Sequence, residues 1–187
     1  ELETAVVYGS HVSEPVHGLH CDPDGALWLC SERLGLLRIA PDGGKLVIGQ
    51  EAGLAGYPRV VMRDTVGNLW VGTTVGLFLV ARDAVIAIGR HAGGFNDAVL
   101  QITEDAFGRL WLGTTQGLLC VYLEDLVRLA RTTASDQVIA VRMLHLGSSD
   151  GLLGKRCMGG AASFGGPRRS SIWFPFENGV AVVDPAK

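Results

Sequence analysis

His17, His20 and Cys21 fall within five residues and come nearest to a zinc-binding cluster in this sequence. On a strand rising about 3.3 Å per residue, His17 and Cys21 stand roughly 13 Å apart and His20 faces the opposite side, so one tetrahedral ion cannot join them. The expectation is no metal site, but one surface histidine and a small buried cysteine on an inner strand. Cys21 and Cys30 flank the Asp22 to Gly25 turn, yet pairing across it sets His17 opposite Cys30, so no disulfide is expected. Ser163, in Ala162-Ser163-Phe164-Gly165-Gly166, lacks the strand-turn-helix setting of a nucleophile elbow, and no helix is expected anywhere. The acidic pairs Glu104-Asp105 and Glu124-Asp125 sit at expected strand ends and turns, where carboxylates serve solvation and Asx turns more often than acid–base chemistry. Gly44-Lys45 and Gly154-Lys155 lack the upstream glycine and the downstream Ser or Thr of a phosphate-binding loop. These residues point to no catalytic centre and no cofactor.

The chain that must position them has 187 residues, 48% hydrophobic and 19% charged, with 26 glycines. That apolar content is enough for a packed core and excludes a disordered tail. Glycine at about twice its ordinary usage, without a collagen period, means many turns and hence β structure. Sixteen Lys+Arg against 19 Asp+Glu leave a net charge of −3 and no basic stripe, which argues against a nucleic-acid partner. No apolar run approaches the 18 or so residues of a membrane-spanning helix, and no signal core opens the chain. The start at Glu1 rather than Met suggests a segment of something longer.

All four tryptophans occur in one recurring phrase: Asp24-Gly25-Ala26-Leu27-Trp28, Val66-Gly67-Asn68-Leu69-Trp70, Phe107-Gly108-Arg109-Leu110-Trp111 and Ser170-Ser171-Ile172-Trp173. A second turn follows each, at Gly35-Leu36, Gly76-Leu77, Gly117-Leu118 and Gly179-Val180. Trp-to-Trp spacings of 42, 41 and 62 give a period near 41, with about twenty extra residues before the last copy. Each copy reads as a four-stranded meander, the size of a β-propeller blade. Blades are expected near residues 16–50, 58–90, 98–130 and 137–185, within one propeller segment spanning 1–187, with 3–8 as the outer strand of a preceding blade. Trp28, Trp70, Trp111 and Trp173 are expected to fill the wedges between blades, and Gly67, Gly108, Gly76 and Gly117 to serve backbone conformation.

Asp-x-x-Gly-x-Leu-Trp-x-Gly-Thr-x-x-Gly-Leu, nearly whole from Asp64 to Leu77 and from Asp105 to Leu118, resembles the two-component regulator propeller repeat. Cys30 stands where the motif has glycine, and the fourth copy has Pro167 in the aspartate position and Ser170 in place of glycine. The resemblance implies the extracytoplasmic, periplasmic or extracellular, sensor of a membrane-bound histidine kinase or diguanylate cyclase receptor, itself non-catalytic. It also implies partners: the remaining blades, downstream signalling domains and a small-molecule or oligosaccharide ligand. Glu3 to Tyr8 and the end of the last blade are complementary, which allows a closed four-bladed ring, a homodimer, or the cut edges of a larger propeller; the expectation is an all-β fragment of about four blades from a larger propeller. The weaker likeness to streptogramin lyase-like propellers, and a plain protein-interaction scaffold, are the alternatives.

Ligand contacts are expected at the mouth where one blade passes to the next and where second strands turn into third strands, since those loops vary while the strands repeat. The polar candidates there are Glu14, His17, Tyr57, Arg59, His91, Asn96 and Asp97, with Glu32, Arg33, Gln116 and Asn178 from the short turns. Arg59 leads, as a cation beside Tyr57 that could hold an acidic group.

Overall fold

The structure, a computed structural model, describes residues 15–82, 84–88, 96–132, 141–152, 154–159 and 171–187. Glu14, His91, Ser163 and the expected strand at 3–8 lie outside the described residues. Three four-stranded antiparallel meanders follow one another. The first contains β1 (Val16–Cys21), β2 (Leu27–Ser31), β3 (Gly35–Ile39) and β4 (Lys45–Ile48). The second contains β5 (Pro58–Arg63), β6 (Leu69–Thr73), β7 (Gly76–Val80) and β8 (Val85–Ile88). The third contains β9 (Val99–Glu104), β10 (Arg109–Thr114), β11 (Gly117–Tyr122) and, after helix α1 (Leu123–Thr132), β12 (Met143–Leu146). A fourth sheet pairs β13 (Ile172–Phe176) with β14 (Gly179–Val183), and Cys157 bridges to Phe176 from the inner side.

The first turn of each meander is built by its aspartate. Asp64 accepts the backbone N–H groups of Val66 and Asn68 on Oδ1, while its Oδ2 takes the Trp70 indole N–H at 2.8 Å. Asp22 and Asp105 hold Trp28 and Trp111 in the same way, at 2.7 and 2.8 Å. In the second and third sheets one buried carboxylate thus closes the hairpin and satisfies the indole that would otherwise lose a hydrogen bond on burial, while in the first Asp22 holds the indole and Asp24 takes the Ala26 N–H at 2.9 Å. Gly67 and Gly108 end these turns with φ of 96° and 69°, the left-handed region that a side chain resists.

The paired registers put each tryptophan on a rung that packs against the following sheet. Trp28 sits with Val61, Val71 and Phe78, Trp70 with Ile102, Leu112 and Leu119, and Trp111 with Ile172, Phe174 and Phe176. Exposure is 5%, 0% and 3% for these three, but 47% for Trp173. The expectation that Trp173 also fills a wedge is therefore corrected: among the described residues no fifth sheet covers it. Position 167 is proline, so the indole donates instead to the nearby Ser171 Oγ at 3.0 Å.

The expectation of no helix is also overturned. Twenty residues (123–142) join the third and fourth strands of the third sheet, where four (81–84) serve the second. The extra length thus lies inside the third sheet, which runs to Leu146 rather than ending near 130, so Met143–Leu146 belong to it and not to the next blade. Leu123, Leu126 and Ala130, one apolar face at helical spacing, are buried with Ile88 and Leu79 of the second sheet. Glu124 and Asp125 occupy the first helical turn, and Asp125 is buried and bonded to Arg142 Nε at 2.8 Å. The Arg142 hydrogen bond holds the Asp125 carboxyl below its ordinary range.

Candidate functional site

Inner strands β1, β5 and β9 lie side by side and run in one direction, so their first residues gather at one mouth and their last at the other. The second mouth is a structural joint. Arg63, closing β5, reaches back to the preceding sheet and grips both oxygens of Asp22 at 2.6 and 2.7 Å. This fork pulls the Asp22 carboxyl down from 3.8 to about 2, with the Trp28 indole adding to the effect and burial opposing it. Glu104, closing β9, likewise reaches back and accepts the N–H and hydroxyl of Thr65 at 2.7 Å each. Arg109 reaches forward, donating to the Pro185 carbonyl at 2.6 Å. Glu104 and Asp105 thus have structural partners.

At the first mouth all four sheets contribute to one cleft of about 250 Å3, lined by His17, Arg59, Thr74, Ala98, Leu100, Thr115, Arg156, Met158 and Gly159. Each lining residue has a positional reason. His17 and Arg59 follow the first residues of β1 and β5, and Leu100 follows that of β9. Thr74 and Thr115 open the tight turns between second and third strands, which Thr73 and Thr114 brace through hydroxyl bonds to the Gly76 and Gly117 carbonyls. The Arg156 to Met158 stretch acts as the inner strand of the fourth sheet. Cys157 N–H donates to Thr114 O across the joint at 2.9 Å, Met158 N–H to Pro175 O at 2.9 Å, and Arg156 O accepts from Glu177 N–H at 3.2 Å.

Electrostatically the cleft contains a compensated cluster and an exposed cation. Glu32 bonds Arg59 at 2.7 Å and approaches His17 Nε2 at 3.1 Å, while Arg59 Nη1 meets His17 Nε2 at 2.8 Å. The picture of Arg59 as an open cation beside Tyr57 is corrected accordingly: its guanidinium is held by Glu32 and His17. Tyr57 is exposed and does not line the cleft. Its backbone is tied to Thr74, accepting from the Thr74 N–H at 3.0 Å and donating to the Thr74 hydroxyl at 3.0 Å. Arg156 is the exposed cation of the cleft.

The other candidates are scattered around it. Asn96 lines a separate cleft of about 470 Å3 with Ala55, Val75 and Phe78. Asp97 is half-buried, and Arg33, Gln116 and Asn178 are exposed on the turns. Gln116 offers its carbonyl to His145 Nε2 at 3.2 Å. Thr74, Thr115, Arg156 and Met158 were not singled out from sequence. The Gly-Thr element marks where the two threonines fall, but Arg156 needs the partner of Phe176, which the preceding insertion hides.

Cys21 is exposed, not buried, and Cys30 stands opposite Gly18 rather than His17, because the ladder slips by one residue between Val16 and Gly18. All four cysteines are free thiols, and burial pushes Cys30 up to about 12 and Cys120 to about 11. Among the described residues no three His, Cys, Asp or Glu side chains converge as metal ligands would, and no helix there is long and apolar enough to cross a membrane.

Residues 93–116 match the two component regulator propeller family. The fold is similar to the extracellular domain of the hybrid two component system BT3049 of B. thetaiotaomicron, at 20% identity and a TM-score of 0.69, over 91% of this chain and 22% of that one. It is also similar to the extracellular domain of the one component system BT4673 of the same organism, at 18% identity and a TM-score of 0.71, over 96% of this chain and 25% of that one. Virginiamycin B lyase from Staphylococcus aureus is a more distant likeness, at 13% identity and a TM-score of 0.55, over 90% of this chain and 54% of that one. No curated protein sequence matches the chain. The chain spans about a quarter or less of the two extracellular domains it resembles. Three Trp-wedged four-stranded sheets and a further strand pair make up the described chain, and its match to the two component regulator propeller lies at residues 93–116.

Proposed function

We propose that this chain is part of the extracytoplasmic ligand-sensing region of a bacterial two-component or related signalling receptor, without catalysis of its own. The observation that carries this reading is the cleft to which all four sheets contribute, where Arg156 is exposed and Arg59 is already compensated by Glu32. A small acid or an acidic oligosaccharide end fits such a site: its anionic group pairs with Arg156, and the Thr74 and Thr115 hydroxyls serve its neutral polar groups. Because the ligand would touch several sheets at once, binding would favour one relative placement of neighbouring blades, which is what a receptor has to transmit. The resemblance to extracellular domains of signalling systems supports the extracytoplasmic placement and the non-enzymatic role.

A thermal-shift screen of uronate-bearing and neutral oligosaccharides and small carboxylates tests the reading. Stabilisation by an acidic compound that Arg156→Ala abolishes supports it. Stabilisation unchanged in that variant, or turnover of the compound by the purified chain, counts against it, and turnover would favour the lyase-like alternative.

A further inference from the structure

One slip of register recurs at the start of the inner strands. The ladders pass from Val16 to Gly18, from Pro58 to Val60 and from Val99 to Gln101, so His17, Arg59 and Leu100 are bulged residues without a rung of their own. In the fourth sheet Cys157 bridges Phe176 as Val99 pairs with Thr114, which makes Met158 the counterpart of Leu100. A bulge re-aims one side chain out of the alternation of its strand, and all four of these residues line the cleft of about 250 Å3. Two glycines sort them into neighbouring pairs. A Cβ on Gly18 would stand 2.7 Å from Arg59 O, and one on Gly159, whose φ is 64°, would stand 2.6 Å from Leu100 O. His17 is thereby set beside Arg59, and Met158 beside Leu100.

We propose that the bulged positions set the ligand specificity of the cleft, with Leu100 and Met158 forming an apolar subsite for the body of a small carboxylic acid whose carboxylate pairs with Arg156. The inference rests on the acid-binding reading of the cleft and narrows it. The His17–Arg59 pair is compensated by Glu32, at 3.1 and 2.7 Å, so Arg156 is left to hold the anion. The Leu100 and Met158 side chains carry no hydrogen-bond donor and only a weak thioether acceptor. Met158 is 55% exposed, an area that an apolar ring would cover. A fully hydroxylated sugar acid would set hydroxyls against these two side chains and leave them unbonded, whereas an alkyl or aryl ring gains from the same contact. The cleft also falls at the small end of ligand pockets, a size for one ring and its acid rather than for a chain of sugars.

Cyclohexanecarboxylate and glucuronate, six-membered-ring acids of equal charge that differ in hydroxylation, are the probes. Their dissociation constants are measured by ligand-observed NMR on the unsubstituted chain and on Leu100→Asn, Met158→Gln and Arg156→Ala, each checked for an unchanged circular dichroism spectrum. The unsubstituted chain is expected to bind cyclohexanecarboxylate at least about tenfold more tightly than glucuronate, and each of the first two variants to lose most of that preference. Met158→Gln, at an exposed position, carries the test if Leu100→Asn does not fold. Arg156→Ala is expected to weaken both acids alike. Glucuronate bound as tightly as cyclohexanecarboxylate, and still dependent on Arg156, overturns the apolar subsite but leaves the acid-binding cleft standing. A preference that neither Leu100→Asn nor Met158→Gln reduces overturns the subsite as well. Failure of both acids to bind, or binding that ignores Arg156→Ala, overturns the reading of the cleft itself, and the subsite with it.

Discussion

Gly18 stands directly opposite Cys30 on the β1–β2 ladder, the reverse of the Val60–Gly72 and Gln101–Gly113 pairs at the same rung of the next two sheets. At this rung one residue of the pair is glycine, because the neighbouring inner strand passes too close for two side chains. A Cβ on Gly18 would lie 2.7 Å from Arg59 O and 3.1 Å from Cys30 Sγ, and one on Gly72 would lie 2.5 Å from Val99 O. The cysteine that breaks the repeat motif in the first copy is thus matched by a glycine twelve residues earlier. Gly18→Val is expected to cost about 2 to 3 kcal/mol through overpacking, and adding Cys30→Gly is expected to recover part of that loss. Urea unfolding of both variants measures the coupling, and a double variant no better than the single one contradicts the swap.

The aspartate–tryptophan bond predicts an asymmetry among the copies. Asp64→Ala removes two turn-closing N–H contacts and the acceptor of a fully buried indole, and is expected to cost about 2 to 4 kcal/mol. Ser171→Ala deprives only the half-exposed Trp173 of its partner and is expected to shift stability by less than about 0.5 kcal/mol. Equal losses in thermal unfolding would deny the aspartate this role.

The Arg63–Asp22 fork predicts an acid limb of stability. The Asp22 carboxyl is lowered from 3.8 to about 2, so the stability it contributes is complete above about pH 4 and is lost as pH falls through about 2. Arg63→Met is expected to lower stability at neutral pH and to flatten the decline between pH 4 and 2. An identical pH slope in that variant would assign the limb to other carboxylates.

Thiol titration of the native chain should find Cys21 reacting promptly, while Cys30, Cys120 and Cys157 react only on unfolding. Cys21 is exposed, and burial raises the other three thiols above their ordinary range. Four prompt equivalents would contradict the packing of the inner rungs.

The propeller meander was legible in the sequence because its determinants are local: an aspartate six residues before a tryptophan, a glycine ending the turn, and strands alternating between two faces. Helix α1 was missed although Leu123, Leu126 and Ala130 carry its spacing, because the surrounding repeat made a fourth strand the expected element after Tyr122. The cleft was legible only in outline. That His17 and Arg59 meet Glu32 depends on a ladder slip beside Gly18, and Arg156 enters through the pairing of Cys157 with Phe176, nineteen residues further along the chain. Neither leaves a signature in spacing. Trp173 looked like its three counterparts, but burial is set by the neighbouring sheet, which its own residues do not encode.

Hydrogen exchange on the chain, with and without a compound that raises its melting temperature, tests the central claim most directly. The account predicts added protection at the starts of β1, β5 and β9 and across 156–159, with little change at the Asp22, Arg63 and Glu104 joint of the opposite mouth. Protection confined to that opposite mouth, or to the outer strands β4, β8 and β12, would contradict it.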